Sequence, residues 1–369
     1  MDLNTAEIAQ EVRQVVGRLT LNGVEVPFVS CDIDSNAFYS ADTFSVVFAL
    51  GVMPVDTGTL AWWSSQTSIE VSISVGLLGQ GVDDWRTLIV GLVDKWTFRP
   101  AKFEVSVEGR DYTSKFIDVK TNEKFANMTT SQVAILLANR RGLTPVVTPT
   151  TTSVGWITKW DHVHATDERT EWDLLAYFAG LDGFQVYVTG TELHYEPALD
   201  PATTDQYLIR WVPNGLLAYP QCNTSEDITF ERDLTLAKGV TVQVSSWKDK
   251  KIYVSSYPNN TAKGISPGQS TSKRQVYEIK RNGLDKQGTQ KLAEQIHKQI
   301  TSHEMRMSCS LPGDNILLPN VIVRVEGTSS VFDQLYYVDT VRRSLSYESG
   351  YTMSLTAKNH NPNSLQVTP

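Results

Sequence analysis

The sequence has few of the residues that mark disulfide-rich proteins, zinc proteins or common hydrolases. Its 369 residues include only three cysteines, Cys31, Cys222 and Cys309, which are odd in number and widely spaced. They predict reduced packing residues rather than a disulfide framework or a zinc site. No His-Glu-x-x-His motif is present, and acidic pairs such as Asp83-Asp84 fall in predicted turns. We therefore predict no enzyme activity, no catalytic residues, no bound metal and no cofactor.

Long apolar runs and excess positive charge are also missing. The longest apolar run, Val46 to Val55, is interrupted by Gly51 and Pro54 and is too short to cross a bilayer. No basic segment precedes an apolar stretch at the N-terminus, so no signal peptide and no stable membrane insertion are expected. With 33 basic and 41 acidic residues, the net charge of −8 argues against a general nucleic-acid binder.

Two regions of alternating apolar and polar residues dominate what is present. Near the N-terminus, Asn22-Gly23 predicts a tight hairpin, and the alternation from Ile69 to Val75 predicts a half-buried strand. A second region of alternation begins near Ile228 and includes a helical pattern from Asp285 to His303. We expect this helix to pack against its own barrel through an apolar stripe of Leu292, Ile296 and Ile300. Repeated strands with one apolar face favour closed barrels or sandwiches.

A helical pattern separates the two β regions. Thr129 and Gln132 stand at capping-box spacing, and Gly142 is placed to end that helix. Thr170 is placed to cap a second helix, which ends at Gly183. The change of period places a domain border near Ser114. The fold class predicted is mainly β, with a smaller α+β insertion between two β-barrel domains.

Two apolar features are candidate interface residues. Ile8, Val12 and Val15 would form the stripe of an N-terminal helix that Gly17 stops, packing either on its own domain or on a neighbouring subunit. Trp62 and Trp63 form an aromatic pair that could stack on a sugar or anchor a partner protein.

A pair of histidines, His162 and His164, lies on one face of a predicted short strand. Such a pair can supply half of a metal site, with Asp167 or Glu168 as a further oxygen ligand. No third histidine is near, so we interpret this stretch as a polar strand face without a metal.

A series of motifs in fixed order carries a family resemblance. It begins with Gly109-Arg110-Asp111 at the end of a strand, followed by Phe116-Ile117-Asp118 and the capped helix. It continues with Trp172-Asp173-Leu174 and reaches Gly350-Tyr351-Thr352, so it covers most of the chain. In this order the motifs resemble the baseplate hub proteins of contractile phage tails and the hub portion of type VI secretion spike proteins.

The resemblance implies three domains and a structural role. Residues 1–113 would hold the N-terminal helix and a first tube-like β-barrel, 114–225 the α+β insertion, and 226–369 a second tube-like β-barrel with one long helix. Three chains would form a pseudo-sixfold ring that joins the hexameric tail tube to the trimeric central spike. Other baseplate proteins would be partners, and DNA would pass through the lumen without specific binding. The location implied is the virion tail baseplate, after assembly in the host cytoplasm.

A short internal echo supports two related barrels. Val93-Asp94 and Val338-Asp339 are each followed by a turn and then an alternating strand. We therefore expect the region from Leu19 to Glu108 to superpose on the region from Ile228 to Lys358.

Two other functions remain as alternatives. Nine tryptophans are compatible with a carbohydrate-binding or adhesin-like tail β-protein, because aromatic faces stack on sugars. A metal-dependent hydrolase that uses His162 and His164 is the third hypothesis.

Overall fold

The structure is a computed structural model. It describes residues 3, 14–37, 39–79, 82–121, 123, 125, 127–154, 169–201, 203–211, 228–234, 240–248, 250–258, 275–301 and 304–359. The mainly β fold predicted from the sequence is confirmed. Among the described residues, no helix is long and apolar enough to span a membrane.

The first β region contains seven strands and one short helix, α1 (Leu60–Ser65). The strands are β1 (Gln14–Leu21), β2 (Val24–Glu25), β3 (Ser30–Asn36), β4 (Thr43–Ala49), β5 (Glu70–Gly79), β6 (Val82–Arg99) and β7 (Glu104–Asp111). Asn22 and Gly23 both have positive φ, which confirms the predicted hairpin turn between β1 and β2. The alternating apolar residues face a core that includes Val46, Phe48 and Val71.

The middle region combines three helices with short strands. The helices are α2 (Ser114–Ile117), α3 (Thr130–Arg140) and α4 (Glu171–Asp182). The strands are β8 (Lys120–Thr121), β9 (Met128–Thr129), β10 (Thr144–Val147), β11 (Ser153–Val154), β12 (Arg169–Thr170), β13 (Phe184–Thr189) and β14 (Glu192–Pro197). Both predicted N-caps, Thr129 and Thr170, form complete capping boxes. Arg141 at the end of α3 forms a bidentate pair with the buried Glu171 of α4, at 2.6 and 2.7 Å.

The last region contains nine strands and one long helix, α5 (Lys286–Thr301). The strands are β15 (Gln206–Arg210), β16 (Thr229–Arg232), β17 (Val240–Lys248), β18 (Lys251–Tyr257), β19 (Gln275–Lys280), β20 (Met305–Pro312), β21 (Ile322–Glu326), β22 (Leu335–Ser346) and β23 (Gly350–Lys358). β15 pairs in parallel with β21. It therefore belongs to this β region, although its residues lie inside the segment that the sequence assigned to the insertion.

Strands from both β regions form one sheet of thirteen strands among the described residues. Its main path is β16-β20-β23-β22-β3-β4-β7-β6-β5-β1-β2, and β21 and β15 branch from β22. The two regions are thus joined by direct pairing of β22 with β3.

The predicted N-terminal helix is wrong where the structure describes it. Val15 and Gly17 lie in β1, opposite Leu77 and Val75 of β5. Gly17 does not stop a helix, because it lies inside β1. The strand needs a glycine there, since a Cβ would lie 2.5 Å from the Phe28 ring and 2.7 Å from Leu345. Pairing with β5 therefore decides the structure of this segment, although the spacing of its apolar residues predicts a helix. Ile8 and Val12 lie outside the described residues.

The long helix also differs from its predicted packing. It was expected to cover its own barrel, but it packs on a separate three-stranded sheet of order β18-β17-β19. Leu292, Ile296 and Ile300 lie against Val240, Val242 and Val244 of β17, so the apolar stripe itself is as predicted.

Replacing Ile296 by Asp places a charge against this apolar cluster. We expect the free energy of unfolding to fall by about 2–4 kcal/mol, because a carboxylate loses water there without gaining a partner. Chemical denaturation measures this. Gln295→Asp is the matched control, because Gln295 is exposed on the same helix, and it should change stability by less than about 1 kcal/mol. Equal losses for both variants would contradict the packing.

Candidate assembly surface

The two β regions contain the same arrangement of five strands. Module A consists of β3, β4, β5, β6 and β7, and module B consists of β16, β20, β21, β22 and β23. The spatial order is β3-β4-β7-β6-β5 in module A and β16-β20-β23-β22-β21 in module B. Every neighbouring pair is antiparallel in both modules. The predicted correspondence of connectivity is therefore confirmed for these five strands.

The Val-Asp echo of the sequence has a structural meaning. The register between β6 and β7 shifts between Val93 and Lys95, and that between β22 and β23 shifts between Val338 and Thr340. The skipped residues, Asp94 and Asp339, occupy the same β-bulge in the two modules.

Each bulge aspartate binds a basic residue at the same place in the neighbouring strand. Arg110 Nε donates to Asp94 Oδ2 at 2.7 Å, and Lys358 Nζ donates to Asp339 Oδ1 at 3.0 Å. Arg110 follows Gly109, the partner of Val93, and Lys358 follows Ala357, the partner of Val338. Modules A and B are thus equivalent in strand connectivity, in register and in these side-chain contacts.

The modules differ in the elements around the five strands. β1 extends module A antiparallel to β5, whereas β15 extends module B parallel to β21. In module A the helix α1 lies between β4 and β5, whereas in module B the long helix lies between β16 and β20. The correspondence of strand order and register therefore covers the five-strand modules and not the whole segments from Leu19 to Glu108 and from Ile228 to Lys358.

The joint is the ladder between β22 and β3. It runs in register from Thr340 opposite Asn36 to Ser346 opposite Ser30. The same edge of β22 pairs first with β21, through Leu335 to Tyr337, and only then with β3. β22 is therefore long enough to serve its own module and the neighbouring one.

One face of the joint is polar. Arg342 lies between two carboxylates, 3.7 Å from Asp32 and 3.6 Å from Asp34, and more than half of its side chain is exposed. Exposed pairs at such distances contribute little to stability. They favour one register more than they hold the modules together.

The other face of the joint is buried. Tyr351 of module B packs with Val75 and Leu77 of β5 in one small apolar cluster. Asn315 Nδ2 donates to the Val75 backbone oxygen at 2.9 Å. The buried Arg343 donates through Nε to the Asp314 backbone oxygen at 3.0 Å and through Nη2 to that of Leu317. Burial and satisfied polar groups therefore lock the angle between the modules.

Two buried carboxyl groups lie beside the joint. Burial raises the pKa of Asp42 to about 7, although the Asn36 backbone N–H donates to this carboxyl at 2.7 Å. Burial, and then the proximity of Asp42, raise the pKa of Asp111 well above its ordinary value. Neutral carboxyl groups are thus favoured here at mildly acidic pH.

The polar face continues across both modules. Hydroxyl side chains recur on it in neighbouring strands, including Thr43, Ser45, Thr97, Ser106, Ser308, Thr340, Ser344, Ser354 and Thr356. Acidic and basic side chains alternate among them, as with Glu108 opposite Lys95 and Glu231 opposite Arg306. The net negative charge of the chain is not concentrated on this face.

The predicted interface residues have different environments. Trp63 has no exposed surface and packs against Phe48 and Trp96, so it is a core residue and cannot anchor a partner. Trp62 is half-buried beside it, at 5.0 Å between ring centroids. Thr59 caps α1, because its side-chain oxygen accepts a hydrogen bond from the Trp62 backbone N–H.

The histidine pair cannot be placed. His162 and His164 lie outside the described residues. Elsewhere, within the parts of the chain that the structure describes, no group of three or more His, Cys, Asp or Glu residues could hold a metal ion.

Solved tail proteins share this fold. A tail protein from Neisseria meningitidis MC58 is similar over 94% of this chain and 96% of its own length, with a TM-score of 0.64 and 16% identity. The 43 kDa tail protein of prophage MuSo2 from Shewanella oneidensis is similar over 97% of this chain and 100% of its own, with a TM-score of 0.63 and 14% identity.

A type VI secretion component is also similar. The E. coli c3393 protein matches 95% of this chain and 79% of its own, with a TM-score of 0.52 and 9% identity. No protein-family model and no curated protein matches the sequence. The resemblance expected from the sequence is thus confirmed as a shared fold with phage tail and type VI secretion proteins.

Truncating Tyr351 and Arg342 separately should show how much the buried cluster and the exposed ion pairs each stabilise the joint. We expect Tyr351→Ala to lower the free energy of unfolding by about 3–5 kcal/mol, because it removes a large buried ring. Arg342→Ala should cost less than about 1 kcal/mol, because its ion pairs are exposed. Chemical denaturation of both variants checks this, and a larger loss for Arg342→Ala would contradict our account.

The buried carboxyl groups predict a pH effect. The folded-state pKa of Asp42 is raised to about 7. The protonated carboxyl group therefore adds to the free energy of unfolding, and this contribution is fully present below the unfolded pKa of about 4. That contribution is lost as the pH rises towards 7. Asp42→Asn should therefore make the fall in stability between pH 5 and pH 7.5 less steep. Denaturation at both pH values tests this, and equal slopes for the two proteins would contradict it.

Proposed function

We propose that this chain is a structural baseplate hub of a phage tail, in which three copies form a ring of six modules. The observation that carries the proposal is the duplicated five-strand module with a shared register and an equivalent bulge contact. The shared fold with solved tail proteins supports it. The proposed location is the tail baseplate of the virion, after assembly in the host cytoplasm.

Duplication solves a problem of symmetry. A sixfold tail tube and a threefold spike cannot both contact one ring of identical single-module subunits equivalently. A chain with two equivalent modules offers near-sixfold symmetry to a tube on one side and true threefold symmetry to a spike on the other. The tail tube protein and the central spike protein are therefore the proposed main partners.

The internal joint supplies the template for such a ring. It is a heterologous contact, since the β22 edge of module B meets the β3 edge of module A. A heterologous contact that repeats with a closing rotation generates a ring. The buried cluster around Tyr351 fixes the angle, so the rotation is built into each chain.

We place the polar sheet face towards the lumen. Its hydroxyl groups and interleaved charges give DNA no continuous basic track, so phosphates gain little by binding there. DNA passes without specific binding. The α+β insertion packs against β6 through Val90 and Leu92, and is available to other baseplate proteins.

Sedimentation of the full-length chain, alone and mixed with the tube and spike proteins of the same tail, tests the proposal. We expect a species with three times the mass of one chain, at least when a partner is present. A stable monomer in every mixture contradicts the ring. A glycan array is the matched test of the adhesin alternative, and specific glycan binding by a monomer would favour that alternative instead.

A further inference from the structure

Module A has an edge equivalent to the one that β22 uses in the joint. β7 covers one edge of β6, and β5 covers the other edge only as far as Leu92. The Val93 backbone N–H still donates to the Ile69 oxygen at 2.9 Å. From Lys95 to Arg99, this second edge has no strand partner among the described residues. The corresponding stretch of β22 is the one that pairs with β3.

Module B has the complementary edge. β16 is equivalent to β3, because each pairs antiparallel with the strand that follows it in its module, β20 or β4. In the described part of the chain, β16 has a strand on that one side only. β3 is covered on both sides, by β4 and by β22.

The shared register predicts which residues would meet. Val338 is equivalent to Val93, and each is followed by one bulge residue. Arg342 and Thr97 each lie four residues after these valines, so they are equivalent too. Phe44 and Met307 occupy equivalent positions, so Asp34 corresponds to Glu231. Arg342 lies opposite Asp34 in the joint.

We propose, on the basis of the proposed ring, that β6 of one chain pairs antiparallel with β16 of a second copy. Thr97 lies opposite Glu231, and Phe98 lies opposite Phe230 of that copy. This contact repeats the internal joint, so one geometry closes all six positions of the ring.

The chemistry of the two edges is complementary. Glu231, opposite Thr97, lies diagonally between Lys95 and Arg99, and all three charged side chains are exposed in the single chain. In the joint, Arg342 lies opposite Asp34 and diagonal to Asp32, so both contacts place one charged side chain close to two of the opposite sign. On the opposite face, Phe98 and Phe230 are half-buried at the margins of their own cores. Pairing would bury both rings and satisfy the backbone groups of two edges.

Disulfide trapping in the full-length chain tests this pairing. Opposite residues of an antiparallel pair have Cα atoms about 4.5–5.5 Å apart, which a disulfide can bridge. Under mild oxidation, Thr97→Cys combined with Glu231→Cys should give covalent dimers and closed trimers on a denaturing gel. Either single variant should give only the background of the unmodified chain.

A control pair of cysteines tests whether β16 meets the edge of β6 or the edge of β2. Glu25 lies on β2, at the far end of the sheet from β16, so Glu25→Cys with Glu231→Cys should not form covalent trimers. Sedimentation of the same samples separates the two proposals. A trimer that crosslinks through Glu25, or that does not crosslink through Thr97, overturns the β6–β16 pairing but leaves the ring intact. A chain that stays monomeric with its partners present overturns both.

Charge reversal gives a second, independent readout. Glu231→Lys should weaken the trimer several-fold by facing Lys95 and Arg99, and Lys95→Glu with Arg99→Glu should restore it in the triple variant. The same fraction of trimer in all variants overturns the pairing. The sites are exposed in the single chain, so folding should be preserved.

Discussion

The ladder between β22 and β3 is the contact on which the arrangement of the chain depends. It exists because β22 continues beyond its own partner β21, and because the bulge at Asp339 adjusts its register against β23. Bulges increase twist and redirect a strand. The ladder alone would leave a flexible seam, but Tyr351, Asn315 and Arg343 fill the buried side with packed and hydrogen-bonded groups. The two modules are therefore fixed relative to one another.

This constraint gives a physical reason for one chain to carry two modules. In the proposed ring, a fixed joint supplies one contact within the covalent chain, so that only every second contact depends on concentration. The effective concentration of linked modules far exceeds that of separate subunits. The differences between the modules lie outside the shared five strands, in the direction of β15 and in the position of the long helix. Each half of the chain therefore has the same five strands but different strands and helices around them.

Much of the fold could be predicted from the sequence, because local rules and tertiary structure agree there. The Asn22-Gly23 turn, the capping boxes at Thr129 and Thr170 and the stripe of the long helix all formed as predicted. The Val-Asp echo identified the repeated bulge. The predictions were wrong where contacts between residues far apart in the sequence determine the structure. Val15 is predicted in a helix but lies in β1, which pairs with β5, and Trp63 is predicted as a candidate interface residue but lies in the core. Arg343 and Asn315 carry no local signal, because Arg343 acts on the loop of Asp314 and Leu317, and Asn315 acts on β5, both distant in sequence.

The central claim is that two equivalent modules in each chain build a pseudo-sixfold ring. Electron cryomicroscopy of the chain bound to its tail tube measures this most directly. Our account predicts three chains around one axis, with modules A and B alternating at about 60° steps and one continuous sheet across β22–β3 and β6–β16 contacts. A particle in which the modules of each chain lie at different radii, or in which only one of them contacts the tube, would contradict it.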